Sequence, residues 1–277
     1  MRFVKGHGTE NDFVILPDPE GSLDLTPAVV AALCDRRAGI GADGVLRVVR
    51  AKAAHDPTAE ALSGEAEWFM DYRNADGGVA EMCGNGVRVF ARYLVDAGLA
   101  APGEFAVATR GGLKRVTLGP SGDVSVDMGP PVVQGEGRAT LAGEEHTGLR
   151  VSMGNPHLAC PVDRPVRELD LSRGPDFDTA VFPEGVNLEL FRPVGDHHVE
   201  MRVFERGSGE TRSCGTGAVA TAVAAAVAAA GPSAPPGEWL VDVPGGRVTV
   251  VLDGRTSHLR GPAVLVADGE IRASWLR

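Results

Sequence analysis

Cys83 and Cys214 open the same short phrase, Cys83-Gly84-Asn85-Gly86 and Cys214-Gly215-Thr216-Gly217, and each leads into an apolar run. The paired glycines let the backbone turn abruptly into a helix and approach a ligand closely. A helix start leaves several N–H groups without an acceptor and carries about half a positive charge. That field favours a thiolate, lowering a cysteine from its free value of about 8.5. It also offers donors to a substrate carboxylate. One copy would suit a thiol hydrolase, with His157 as the base partner. Two copies fit a different chemistry, because a nucleophilic mechanism needs a single cysteine. A thiolate and a thiol make a base and an acid whose roles exchange when the reaction reverses. Such a pair can take a proton from one face of a carbon and return one to the other.

The two phrases sit in matched surroundings. At the offset of 131 positions that separates Cys83 from Cys214, Met70 falls on Met201, Asn74 on Glu205 and Gly78 on Gly209. That self-similarity predicts one structural unit used twice. The elements that position the first thiol read as follows. Arg2–Lys5 and Asp12–Leu16 are strands joined by the turn Gly8-Thr9-Glu10-Asn11. Thr26 caps a helix with Pro27 in its first position, running to about Arg36. Gly39–Gly44 is a tight loop into the strand Val45–Val49. Ala51–Glu65 lacks periodicity and reads as a surface loop, and Glu67–Tyr72 returns to strand. For the second thiol the strands are Gly148–Met153, His157–Pro161, Asn187–Arg192 and His198–Glu205. Ser233-Ala234-Pro235-Pro236-Gly237 ends its helix, and three strands close the chain. The expected domains are residues 1–115 and 116–262, with 263–277 returning to the first.

The chain has 277 residues and 43% apolar content, enough for about two ordinary domains with real cores. Aromatic content is only 5%, so Val, Leu, Ile and Ala must fill them. A net charge of −10 argues against binding a nucleic-acid backbone. The start turns polar too soon for a signal peptide, and Thr216–Ala230 is too short to span a membrane. A cytoplasmic protein with reduced thiols is expected. Cys34 and Cys160 read as small buried hydrophobes. No Cys-x-x-Cys pair or zinc-ligand spacing occurs, so no metal is expected. Lys5, Lys52 and Lys114 are the only lysines, and none suits a pyridoxal Schiff base. No glycine-rich nucleotide loop is present. Cofactor-free proton transfer at an amino-acid α-carbon is the resulting expectation.

The chain resembles the diaminopimelate epimerase family. The resemblance rests on Asn11-Asp12-Phe13, Tyr72-Arg73-Asn74-Ala75-Asp76-Gly77, Ala80-Glu81-Met82-Cys83-Gly84-Asn85-Gly86, Gly154-Asn155-Pro156-His157, Glu205-Arg206-Gly207-Ser208-Gly209-Glu210-Thr211 and Cys214-Gly215-Thr216-Gly217. It implies an α/β fold of the α+β type. Two pseudo-symmetric domains would each curl a mostly antiparallel sheet around a central helix, with the active site in the cleft between them. It implies epimerisation of LL-2,6-diaminopimelate to the meso form without pyridoxal phosphate, in lysine and peptidoglycan-precursor synthesis. Cys83 and Cys214 would be the acid–base pair, tuned by His157 and Glu205. The reacting carboxylate would sit on the N–H groups of Gly84, Asn85, Gly215 and Thr216. Asn11, Asn74, Asn155, Asn187, Glu205 and Arg206 would hold the rest of the substrate, Arg206 by gripping a carboxylate in two-pronged fashion.

Some positions depart from the family pattern. Gly44 stands where many members have Gln, and Val89 where many have a second, non-catalytic cysteine. Ala267 stands where some members place a tyrosine at a dimer contact, so a homodimer, if it forms, would lack that anchor. The rival readings are a proline-type racemase or related dehydratase of the same fold, a silent amino-acid binder, and a thiol hydrolase. The Asn residues with Glu205-Arg206 favour a longer, doubly zwitterionic substrate, and a binder has no use for two thiols.

Overall fold

Short strands broken by glycine and proline gather here into two units, residues 1–126 with the segment from Pro262, and residues 127–261. The computed structural model describes residues 1–231 and 235–275.

In the first unit β1 (Arg2–Gly8) and β2 (Asn11–Pro17) form the expected hairpin. α1 (Pro27–Cys34) is capped by Thr26, whose side chain accepts the Val29 N–H, and it ends at Asp35. β3 (Gly44–Arg50) follows, parallel to β2. The segment expected as a loop instead holds a short helix, α2 (Pro57–Leu62). Asp56 caps it by accepting the Thr58 and Ala59 N–H groups, and Pro57 fills its first position. Six residues are too few to show a helical period. β4 (Trp68–Asn74) pairs antiparallel with β3, α3 (Gly84–Asp96) crosses over, and β5 (Glu104–Thr109) returns parallel to β4. β6 (Gly112–Leu118) and β7 (Val124–Gly129) complete the run, and the C-terminal strand Val264–Glu270 pairs with β1 on the other side. α3 touches β1, β2 and the C-terminal strand on one side and β6 on the other, so the sheet curls around it. The pairing of β6 with β7 keeps the chain in this unit to Val126, beyond the expected break at 115/116. Of the expected returning segment 263–277, the last two residues lie outside the described residues.

The second unit repeats the order. β8 (Val132–Leu141), β9 (Glu144–Ser152) and β10 (Pro156–Pro161) run antiparallel in turn. After the two-residue β11 (Asp176–Phe177), β12 (Asn187–Gly195) lies parallel to β10. β13 (His198–Glu205) pairs antiparallel with β12, and the short β14 (Gly209–Thr211) folds back on it. α4 (Gly215–Ala230) then crosses over to β15 (Gly237–Val243), which is parallel to β13. β16 (Gly246–Leu252) and β17 (Ser257–Gly261) close the unit, so four strands rather than three follow α4 once the C-terminal one is included. α4 ends at Ala230, followed by Gly231 at φ 79°. The expected stop began later, and its Ser233-Ala234 lies outside the described residues. Alanine and valine all round α4 let strands from β9 to β17 approach it closely, and it is buried on nearly every face. In each unit, therefore, a strand enters a helix that a curled sheet encloses, as the resemblance implied.

Cys34 and Cys160 belong to the cores of the two units. Burial pushes their thiols up to about 11 and about 12, so both are inert apolar groups at neutral pH.

Candidate functional site

Each cysteine caps its helix in the same way. Cys83 has φ −138° and ψ 120°, and Cys214 has φ −119° and ψ 119°, the extended backbone of an N-cap. The Gly86 N–H donates to Cys83 Sγ at 3.4 Å, and the Gly217 N–H donates to Cys214 Sγ at 3.3 Å. The first intrahelical bonds run from the Val87 N–H to Cys83 O and from the Ala218 N–H to Cys214 O. The N–H groups ahead of these, on Gly84 and Asn85 and on Gly215 and Thr216, have no acceptor within their helices. These are the positions expected to receive a carboxylate.

In the first unit Asn11 closes the β1–β2 turn beside the thiol. Asp43 Oδ2 accepts from Asn11 Nδ2 at 2.7 Å, which fixes the orientation of the amide. Its Oδ1 then accepts from Asn85 Nδ2 at 3.3 Å and from the Cys83 thiol at 3.5 Å. Arg36 bridges Asp43 and Asp12, and Lys5 reaches Asp12 at 2.6 Å, so these carboxylates are neutralised behind Asn11. Asn74 lies exposed at the end of β4. Gly44 leaves no room for the side chain common in the family: a Cβ there would lie 2.5 Å from Arg73 O and 2.7 Å from a Tyr72 ring carbon.

The second unit presents the same layout with different chemistry. Asn155 stands at the end of the β9–β10 turn, as Asn11 does in the first unit, and its Nδ2 donates to Thr216 Oγ1 at 3.4 Å. Thr216 Oγ1 is 3.5 Å from Cys214 Sγ. His157 Nε2 is 3.1 Å from Asn155 Oδ1, and His157 Nδ1 is 2.7 Å from Glu189 Oε1. A continuous hydrogen-bonded chain therefore runs Glu189–His157–Asn155–Thr216–Cys214. With Asn155 oriented this way, His157 Nε2 carries a proton, so Glu189 and His157 share one further proton between Oε1 and Nδ1. Burial pushes the Glu189 carboxyl up, against the pull of His157.

Glu189 is a residue that the motifs did not reveal. It is fully buried, and a Cβ on Gly217 would lie 2.7 Å from its Oε1, so glycine there gives the carboxylate access to the first turn of α4. Burial foremost, then the charges of Glu205 and Glu189, push the Cys214 thiol well up; the Thr216 hydroxyl and Gly217 N–H pull the other way and lose. The helix start alone was expected to favour the thiolate, and at Cys214 it does not prevail. Glu205 ends β13, and the Thr211 hydroxyl donates to its Oε1.

Two expected contact residues also make bonds within the protein. Asn187 donates through Nδ2 to Pro156 O at 2.9 Å and accepts the Arg206 N–H at 2.9 Å, tying together the strand ends that carry His157 and Arg206. Arg206 Nη1 donates to Glu184 O at 2.8 Å, and its side chain is partly exposed. Among the described residues no cluster of three or more His, Cys, Asp or Glu side chains is arranged to hold a metal. Nor is any helix among them long and apolar enough to cross a membrane.

Comparison with known proteins follows the same lines. The family model described as diaminopimelate epimerase matches residues 3–134 and 149–266. A diaminopimelate epimerase of Thermobifida fusca (strain YX) is 61% identical over 282 residues, covering all of both chains. One of Streptomyces coelicolor is 54% identical, covering all of this chain and 97% of the relative. Among solved structures, a phenazine biosynthesis protein of the PhzF family from Bacillus anthracis superposes with a TM-score of 0.67 at 16% identity, covering 98% of this chain and 99% of that one. A hydroxyproline epimerase from Agrobacterium vitis gives 0.66 at 16% identity, covering 97% and 91%. At such identities these two structures share the fold alone with this chain.

Proposed function

The chain belongs to the diaminopimelate epimerase family, and from that premise we propose that it interconverts LL- and meso-2,6-diaminopimelate without a cofactor. The observation that carries the reading is the pair of thiols capping two helices with the same backbone geometry. One cysteine, as thiolate, removes the α-proton; the other, as thiol, returns a proton to the opposite face of that carbon. The carbanion between these steps places negative charge on the adjoining carboxylate. The N–H groups at Gly84, Asn85, Gly215 and Thr216 hold that carboxylate where the charge develops, which is how fixed donors lower such a barrier. Arg206, with Asn74 and Asn155, takes the remote amino-carboxylate. Asn187 acts through the two strand ends that it ties. His157 and Glu189 hold Asn155 and Thr216 against Cys214, and burial, aided by Glu205, keeps that thiol protonated until the acid is needed.

The test is incubation of the reduced protein with LL-diaminopimelate in deuterium oxide without pyridoxal phosphate. Meso product carrying α-deuterium is expected, and Cys83→Ser and Cys214→Ser should each cut its formation severely in folded protein. Near-normal turnover in either variant would overturn the two-cysteine assignment, and no exchange in the parent would overturn the substrate.

A further inference from the structure

The repeat is faithful in backbone and unfaithful in charge. Phe13 pairs with Gly44 across parallel strands in the first unit, and His157 pairs with Asn187 in the second. Two residues further along, Leu46 pairs with Ile15 where Glu189 pairs with Ala159. Phe13 and Leu46 thus stand in the first unit where His157 and Glu189 stand in the second, and both lie beside Gly86 as Glu189 lies beside Gly217. Position 88, five residues after the first cysteine, is arginine; its counterpart after the second is Val219.

Arg88 is fully buried. A helical side chain leans towards the helix N-terminus, which carries this guanidinium back to the turn beside Cys83. Nη2 donates to Thr9 Oγ1 at 3.1 Å and Nε to Pro262 O at 3.4 Å. Nη1 is buried without a hydrogen-bond partner, and among the described residues no carboxylate forms an ion pair with Arg88. The turn itself is strained. Thr9 at φ 49° and Glu10 at φ 61° both adopt the left-handed conformation, which is rare for a β-branched residue. A Cβ on Gly8 would lie 3.0 Å from Arg88 Nη2 and 3.1 Å from Asn85 O, so the turn closes directly over the guanidinium. The same turn ends in Asn11, the partner of Cys83.

We propose that Arg88 is the buried counter-charge of the Cys83 thiolate, a positioning residue that fixes Cys83 as the resting base. Burial brings the guanidinium down to about 10, so it stays charged at neutral pH, and the groups that favour its charge are Cys83 first and Asp123 second. One opposing influence is the hydrogen bond from the thiol to Asn11. A thiol is a weak donor, and that neutral bond is worth less than a buried cation. When the proton leaves, Asn11 Oδ1 keeps its bond from Asn85. Asp12 and Asp43 do not oppose the thiolate, because Lys5 and Arg36 neutralise them. The base role rests on the function proposed above; the ionisation of the thiol does not.

The experiment reads that ionisation without substrate. The full chain is alkylated with iodoacetamide across a pH series, and modification of Cys83 and Cys214 is followed in the same digest by mass spectrometry. Arg88→Met is expected to move the Cys83 midpoint up by about one unit or more, roughly a tenfold loss of thiolate near neutral pH. Arg88→Lys should restore most of it, and the Cys214 midpoint should not move. Thr9→Gly, which removes the hydroxyl and relaxes the turn, should leave the Cys83 midpoint near its parent value. An unmoved Cys83 midpoint in Arg88→Met, or an equal shift in Thr9→Gly, overturns the proposal. A Cys83 midpoint in the parent protein no lower than that of Cys214 also refutes the assignment.

Discussion

Replacing Gly217 with alanine would put a methyl group 2.7 Å from Glu189 Oε1 and 3.3 Å from Cys214 Sγ. Glu189 cannot swing aside freely, because it is fully buried and bonded to His157 at 2.7 Å. Overpacking of this kind costs about 1–3 kcal/mol, which for domains of this size lowers the melting temperature by roughly 2–10 °C. Displacing the thiol or its hydrogen-bonded chain by a fraction of an ångström should also cut epimerisation by about ten- to a hundredfold. The equivalent change in the first unit is the control. A Cβ on Gly86 would meet Cys83 Cβ, Leu46 and Phe13 at 3.4–3.5 Å, ordinary contact distances. Gly86→Ala should therefore be neutral or more stable by up to about 1 kcal/mol, since alanine loses less chain entropy in a helix. The assays are thermal melting followed by circular dichroism, and solvent-deuterium incorporation into diaminopimelate. Equal behaviour of the two variants would refute the claim that Glu189 reaches the first turn of α4.

Two further outcomes can be measured. Asn187→Ala strands the Arg206 N–H and Pro156 O, so it should destabilise the fold by about 1–3 kcal/mol in urea unfolding; unchanged stability with only a raised KM would mean that Asn187 serves the substrate alone. Burial works to raise the Asp12 carboxyl, but hydrogen bonds from Arg36 and Lys5 outweigh it and lower the group from 3.8 to about 2. A depressed folded value gives stability that is fully present above the unfolded pKa and lost as pH falls through the folded one. About 2 kcal/mol should therefore disappear between roughly pH 5 and pH 2, and Asp12→Asn should flatten that part of the profile; parallel acid limbs in parent and variant would contradict this.

What the sequence made legible was local. A cysteine followed by alternating glycines and an apolar run specifies an N-cap, and both caps formed. The β1–β2 hairpin, the Thr26–Pro27 helix start and the strand before each cysteine are likewise short-range patterns. What it concealed depends on closure of the sheet. Glu189 lies in Asn187-Leu188-Glu189-Leu190-Phe191, whose alternation reads as a strand with one solvated face. In the structure β12 is flanked by β10 and β13 and covered by α4, so the polar face is buried too. The signal available was a pair of polar residues, Asn187 and Glu189, two apart in an otherwise apolar stretch. Arg88 was hidden for the same reason. On an ordinary amphipathic helix an arginine extends its head to water, but a sheet curled around α3 denies it that route. The helix at Asp56-Pro57 was marked by its cap and missed because it is short.

Two sites with identical backbone and identical surroundings would share a single proton evenly. Under the proposed mechanism, half the molecules would then hold it on the wrong thiol for any given stereoisomer. A difference of one pKa unit between the thiols, about 1.4 kcal/mol, places roughly nine molecules in ten in one state. Backbone donors cannot supply that difference, because the two caps are alike to about a tenth of an ångström. It comes from burial, which is greater at Cys214 than at Cys83, and from the side chains beneath the caps. Phe13, Leu46 and Arg88 on one side, and His157, Glu189 and Val219 on the other, are buried positions near the caps where the repeats differ in charge. Pushing Cys214 up through burial and then its acidic neighbours, and favouring the Cys83 thiolate through a cation, widen the same gap. In the reaction proposed above, the duplicated backbone supplies two equivalent sets of donors, and the divergence beneath it determines which thiol begins as the base.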